Sequence, residues 1–240
     1  MFLYPRSFFT KMPFHTKKPF HTKIISISPC GPNQRRYVRH LQNRTIPLLL
    51  CEGPPKTGKT WFACAAAVQE LRNGFVKQIV ITHPTIESAH SRLIFDIFED
   101  FYSGFDIHTM IQHGTLIISP LSMLARRRTL NNTFVISNDM QNSTSDQIRH
   151  LITCLGHNSR MVITGNTKQT GVKPNNSFSN TIAQIENDCV SQQDVSIIKL
   201  NELDVYSQSK IENLYQPRHL KMVQSEHSPF SVFSRKRNRE

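Results

Sequence analysis

Gly53-Pro54-Pro55-Lys56-Thr57-Gly58-Lys59-Thr60 follows the apolar run Pro47-Leu48-Leu49-Leu50-Cys51 and opens the helical-looking stretch Trp61 to Leu71. The pattern is G-x-x-x-x-G-K-T in a strand–loop–helix setting, which is the context a phosphate-binding loop requires. Its glycines let the backbone wrap a polyphosphate, so that N–H groups and the helix N-terminus face the negative charge. Lys59 would reach the outer phosphates and the Thr60 hydroxyl would ligate Mg²⁺, with Pro54, Pro55, Lys56 and Thr57 completing the cradle between Gly53 and Gly58. The competing reading is a plain Gly/Pro turn between strand and helix.

Outward from this loop, short apolar runs alternate with amphipathic segments. Lys77–Thr82, Leu116–Ile118, Phe134–Ile136, Met161–Thr164 and Val195–Ile198 have the length and composition of buried strands. Ile86 to Phe101 places Ile86, Leu93, Ile94, Ile97, Phe98 and Phe101 on one helical face and stops at Gly104. Ile148, Leu151, Ile152 and Leu155 repeat at helical spacing and Gly156 closes that helix. Such alternation predicts an α/β fold: a three-layer parallel sheet with helices on both faces, binding nucleotide at the carboxyl ends of its strands.

The net charge of +12 is unevenly spread. Residues 1–51 hold nine Lys/Arg and no acid, and residues 217–240 hold six Lys/Arg against Glu226 and Glu240. The stretch between them is close to neutral, so the expectation places the basicity at the ends. These ends suit RNA or DNA phosphates through counterion release, or act as solvated tails. The tandem Pro13-Phe14-His15-Thr16-Lys17 and Pro19-Phe20-His21-Thr22-Lys23 contains helix-breaking prolines. Residues 1–31 are therefore expected to be a disordered basic arm, with an organelle-targeting peptide as the lesser alternative. Residues 32–216 are expected to be the nucleotide-binding domain and 217–240 a basic, disordered tail. No apolar run approaches the roughly 18 residues that span a bilayer. Five scattered cysteines without a CxxC pair argue against a disulfide framework or zinc site and favour a reducing compartment, the cytosol by default, with nucleus, organelle or virus-infected cell as alternatives.

Hydrolysis needs an acidic residue beyond a core strand to hold Mg²⁺ and a group to orient the attacking water. Thr133–Ser137 followed by Asn138-Asp139-Met140-Gln141-Asn142-Ser143-Thr144 is the candidate. A γ-phosphate sensor should follow the next strand, where Thr164-Gly165-Asn166-Thr167-Lys168-Gln169 stands.

These residues, together with Val80–Pro84, Ser119-Pro120-Leu121 and the run Arg126-Arg127-Arg128-Thr129-Leu130-Asn131, resemble the PhoH-like proteins over about Asn33 to Tyr215. Met140 before Gln141 is most similar to the compact versions carried by large DNA viruses. The resemblance implies a P-loop NTPase with a RecA-like core and ATP as ligand. It implies an adenine-contacting segment at Asn33-Gln34, Gln34 otherwise being a solvated helix-start residue. It also implies Asp139 and Gln169 as catalytic groups and Thr60 with Asn138 at the metal.

Departures from the family pattern fall on charge handling. Asn138-Asp139 stands where the pattern has Asp-Glu, Asn166 where it has Asp, His83 where an Arg is expected, and Ser207 near an expected Arg. Losing one preorganised contact costs roughly 10²–10³ in rate, so the expectation is nucleotide binding with weak or vestigial hydrolysis. Arg126, Arg127 and Arg128 are either a solvated turn or a nucleic-acid contact. An active nucleic-acid-stimulated ATPase or helicase, whose strand separation would need a homo-oligomer, and a non-enzymatic scaffold binding nucleic acid or a protein partner remain the alternatives.

Overall fold

A computed structural model describes residues 27–84, 88–124, 129–168, 177–187 and 194–205, without the side chains of 88–91. The tandem repeat, Ile86, Arg126 to Arg128, Gln169, Ser207 and the tail beyond 217 lie outside the described residues.

Elements run in the order α1 (Pro32–Gln42), β1 (Leu48–Glu52), α2 (Lys59–Arg72), β2 (Gln78–His83), α3 (Ser88–Glu99), α4 (Gly104–Gln112), β3 (Leu116–Pro120) and α5 (Leu121–Leu124). There follow β4 (Thr133–Ser137), a 3₁₀ turn (Met140–Asn142), α6 (Ser145–Thr153), β5 (Arg160–Gly165), α7 (Ser177–Asn187), β6 (Val195–Lys199) and a second 3₁₀ turn (Glu202–Asp204). The strands form one sheet in the order β3-β2-β4-β5-β1-β6, and all five pairings are parallel. A strand buried on both faces reads as a continuous apolar run rather than an alternating one. That is why Leu48-Leu49-Leu50-Cys51 of β1, flanked by β5 and β6, is buried at every position.

Strand alternation divides the core in two. Leu49, Cys51, Ile79, Ile81, Phe134, Ile136 and Val162 face α1 to α4. Leu48, Leu50, Val80, Val135, Met161 and Ile163 face α5 to α7. Helix α2 packs against the sheet through small residues: Ala63, Ala65, Ala66 and Ala67 are strong helix formers and all are buried. The expected three-layer sheet is what the chain forms. Because β5 is inserted between β1 and β4, the arrangement is the RecA-like version of the P-loop fold.

Three expectations are corrected. Leu93 is not on the buried face of α3, being 48% exposed, whereas Ile94, Phe98 and Phe101 are buried; an i, i+4, i+7 stripe starting at 94 leaves residue 93 about 100° away, towards solvent. The basicity of residues 1–51 does not belong wholly to an arm: Arg35, Arg36 and Arg39 are the exposed face of α1, which buries Gln34, Tyr37 and Leu41. Helix α4 begins at Gly104, where a helix was expected to have ended, with Ser103 Oγ accepting from the Asp106 N–H as its N-cap.

Candidate functional site at the phosphate loop

The site forms where β1, β4 and β5 end together. Gly53 continues the β1–β5 ladder by donating its N–H to Gly165 O at 3.1 Å. A Cβ on Gly53 would stand 2.8 Å from Leu200 Cβ, so only glycine lets the loop leave β1 beside the end of β6. Gly58 adopts φ +82° immediately before α2, a conformation that L side chains rarely take. Lys56 is also left-handed, at φ +64°. The loop is cross-braced from within: Thr57 Oγ1 donates to Pro54 O at 2.9 Å. Lys59 Nζ donates to Gly53 O at 2.8 Å and Pro54 O at 2.6 Å. Burial pushes the Lys59 pKa down, opposed by Cys51 and Asp139. A desolvated ammonium beside a helix N-terminus is an anion-binding pair.

Gln34 is neither solvated nor peripheral. It is 1% exposed, its Oε1 accepts from the Cys30 N–H at 2.8 Å and the Gly31 N–H at 3.4 Å, and its Nε2 donates to Thr57 O at 3.2 Å and Asp204 O at 3.0 Å. Asp204 Oδ2 in turn accepts from Asn33 Nδ2 at 2.9 Å and the Asn201 N–H at 2.9 Å. This amide therefore ties the start of α1, the phosphate loop and the turn after β6 into one unit.

Thr60 and Asn138, expected together at a metal, do meet. Asn138 Oδ1 accepts from Thr60 Oγ1 at 2.6 Å and from Thr164 Oγ1 at 2.8 Å, while its Nδ2 donates to Asp139 Oδ2 at 3.0 Å. Asn138 is buried. Asp139 holds a left-handed backbone, φ +56° and ψ +39°, and initiates the Met140–Asn142 turn. That turn buries Gln141, whose Oε1 accepts from the Asn166 N–H at 3.1 Å. Asn166 Oδ1 caps the next turn by accepting from the Lys168 N–H at 3.1 Å. Thr167 Oγ1 donates to Glu52 Oε1. Neither Gln141 nor Glu52 was singled out as a site residue from sequence; Glu52 carries no signal beyond directly preceding Gly53.

A P-loop fold in general serves a nucleotide together with a divalent metal, so the donors can be weighed against Mg²⁺, a hard cation that takes oxygen and keeps much of its water. The Thr60 hydroxyl fits, since donating its hydrogen leaves oxygen lone pairs. Asn138 fits poorly: it is neutral, and its carbonyl already accepts from two hydroxyls. Among the described residues no group of three or more His, Cys, Asp or Glu could hold a metal.

The cysteines beside the site are packing groups. Burial pushes the Cys51 thiol up to about 12 and the Cys64 thiol higher still. No described helix is long and apolar enough to cross a membrane.

The model of the PhoH-like protein family matches residues 26–93 and 88–216. The chain is 28% identical over 200 residues to a PhoH-like protein of Synechocystis, covering 76% of this chain and 59% of that one. It is 29% identical over 199 residues to a PhoH-like protein of Bacillus subtilis, covering 76% and 60%. It thus spans less than two thirds of the length of either relative. Among solved structures it is similar to the Sulfolobus solfataricus SWI2/SNF2 ATPase core domain, with TM-score 0.48, 10% identity, and coverage of 85% of this chain and 49% of that one. On the family match, which takes in most of the chain, this protein belongs to the PhoH-like protein family.

Proposed function

We propose that the chain binds a nucleoside triphosphate, ATP first among them, and hydrolyses it slowly or not at all. The observation that carries this reading is a contrast. The loop from Gly53 to Thr60 keeps every phosphate-gripping group, with Lys59 desolvated and aimed at the loop carbonyls. The position that should supply metal-directed negative charge is instead an amide engaged on both its ends.

In this reading the loop N–H groups, the start of α2 and the Lys59 ammonium hold the phosphates. Mg²⁺ arriving with the nucleotide would meet Thr60 and supply charge neutralisation at the phosphates. Asp139 is the one carboxylate beside Asn138 that could orient water, and Gln169 would report on the γ-phosphate. Gln34 positions the loop and reaches the adenine only if its present bonds are exchanged. Residues 32–216 form the domain. Arg126, Arg127 and Arg128, the two basic ends and the arginine face of α1 would engage RNA or DNA in a non-membrane, cytosolic setting, with self-association open to the same domain.

The full chain should retain a fluorescent ATP analogue and melt higher with ATP. Ligand at 100 times its dissociation constant adds about 2.7 kcal/mol. Lys59→Ala should lose both effects, and equal retention by the two proteins would sink the reading. The surviving Asp139 favours a second reading, a nucleic-acid-stimulated ATPase. Phosphate release that rises with RNA or single-stranded DNA and disappears in Asp139→Asn would establish it in place of the first.

A further inference from the structure

We infer that this site takes the nucleoside triphosphate in its metal-free form about as well as in its Mg²⁺-bound form. The inference rests on the proposed nucleotide binding and concerns what that binding demands. It follows from where anionic charge stands around the loop. A site built with two adjacent carboxylates at 138 and 139 would repel the phosphate chain unless a divalent cation lay between them, because like charges at close range each disfavour the other's ionised form. Here position 138 contributes a dipole and no charge. Its oxygen end is occupied by the hydroxyls of Thr60 and Thr164, at 2.6 and 2.8 Å. Its N–H end donates to the neighbouring Asp139 carboxylate at 3.0 Å and partly satisfies it.

Two further acids among the described residues stand near the loop: Glu52, which follows Leu48 and Leu50 on the sheet face away from α2 and accepts from the Thr167 hydroxyl, and Asp204, whose carboxylate accepts from Asn33 Nδ2 and the Asn201 N–H. On the α2 side the phosphate chain would therefore meet the Lys59 ammonium, the helix N-terminus and the Asp139 carboxylate, already partnered by Asn138, while Glu52 and Asp204 are each held by hydrogen bonds of their own. Removing the metal uncovers little repulsion. Adding it gains little from the protein, since Thr60 offers a neutral hydroxyl and Asn138 has no lone-pair direction to spare. The hydroxyl–amide–carboxylate chain Thr60–Asn138–Asp139 orders this side of the site without a cation, and the positive charge facing the phosphates comes from Lys59 and the helix N-terminus.

The test is the dissociation constant of a fluorescent ATP analogue for the full-length protein, measured in excess Mg²⁺ and in EDTA, with melting shifts by ATP and by inorganic tripolyphosphate as a second readout. The expected result is constants within about threefold of each other and a melting shift that survives EDTA. In Asn138→Asp, which puts a second carboxylate against Asp139, binding should become at least about tenfold weaker in EDTA than in Mg²⁺. A wild-type protein that loses more than about threefold of its affinity in EDTA overturns the inference while leaving the proposed nucleotide binding intact. Absence of binding in both buffers overturns both. The wild-type comparison stands even if the variant folds poorly.

Discussion

Replacing Gln34 by alanine is the perturbation that separates a loop anchor from a base contact. The wild-type amide accepts from the Cys30 and Gly31 N–H groups and donates to Thr57 O and Asp204 O. Truncation removes the N-terminal brace of α1, worth about 1 kcal/mol. It also leaves two carbonyls without a donor in a buried setting, at roughly 1 kcal/mol or more each once partial access to water is allowed. The expected loss is about 2–4 kcal/mol in urea unfolding. For a domain of this size each kcal/mol moves the midpoint by about 2–4 °C, so the nucleotide-free protein should melt about 5–15 °C lower. Gln34→Glu should be no milder, because it keeps acceptor atoms but turns a carboxylate oxygen against the same two carbonyls. A Gln34→Ala protein that melts within a degree of wild type without nucleotide, yet loses affinity for ATP and not for inorganic tripolyphosphate, would refute the anchoring argument in favour of adenine contact.

Burial holds the Lys59 pKa below its ordinary value, whereas bound phosphate favours the ammonium. Nucleotide binding should therefore take up a proton, and affinity should fall by up to about tenfold per unit as pH rises through the lowered value; calorimetry in buffers of different ionisation enthalpy checks the uptake. Arg160 donates to the carbonyls of Leu41, Asn43 and Ile46 and pairs with buried Glu70, so Arg160→Ala should cost about 3–5 kcal/mol in urea unfolding. A large share should return in an Arg160→Met, Glu70→Leu double variant. Gly165→Ala puts a methyl 2.5 Å from the ring of fully buried Phe178 and should cost about 1–3 kcal/mol, partly relieved by Phe178→Leu. A thiol reagent at pH 8 should modify exposed Cys30 while Cys51 and Cys64 stay protected until unfolding, with mass mapping as the readout.

The parts of this molecule that could be foreseen share one property: their reason is local. The glycine spacing of 53 and 58 and the unbroken run 48–51 follow from phosphate size and double-sided burial, and both appear where expected. The burial of helix α1 escaped, although Gln34 could be read as a helix start, because only Gln34, Tyr37 and Leu41 are buried along it and its exposed arginines merged with the charge of the preceding arm. Helix α4 escaped for a related reason, since Phe105 is 81% exposed while Ile107 and Met110 carry the packing. Arg160 reaches backbone carbonyls and an acid at least 90 positions away, so no window of sequence contains its purpose. The departure at Asn138 was visible as a missing charge. That its amide spans Thr60, Thr164 and Asp139 required α2, β5 and the connection after β4 to converge.

The left-handed backbone at Asp139 has an evolutionary consequence. Asparagine and aspartate tolerate that conformation far better than other side chains do, while a longer acid there would sit under strain of about 1 kcal/mol. Exchange of Asp for Asn takes a single-base change in the codon and leaves the chain path undisturbed, whereas lineages drifting towards glutamate climb against the geometry. Loss of the Asp139 charge is thus an easy mutational step that leaves the turn intact, whereas a longer acid at the same position is disfavoured by the backbone.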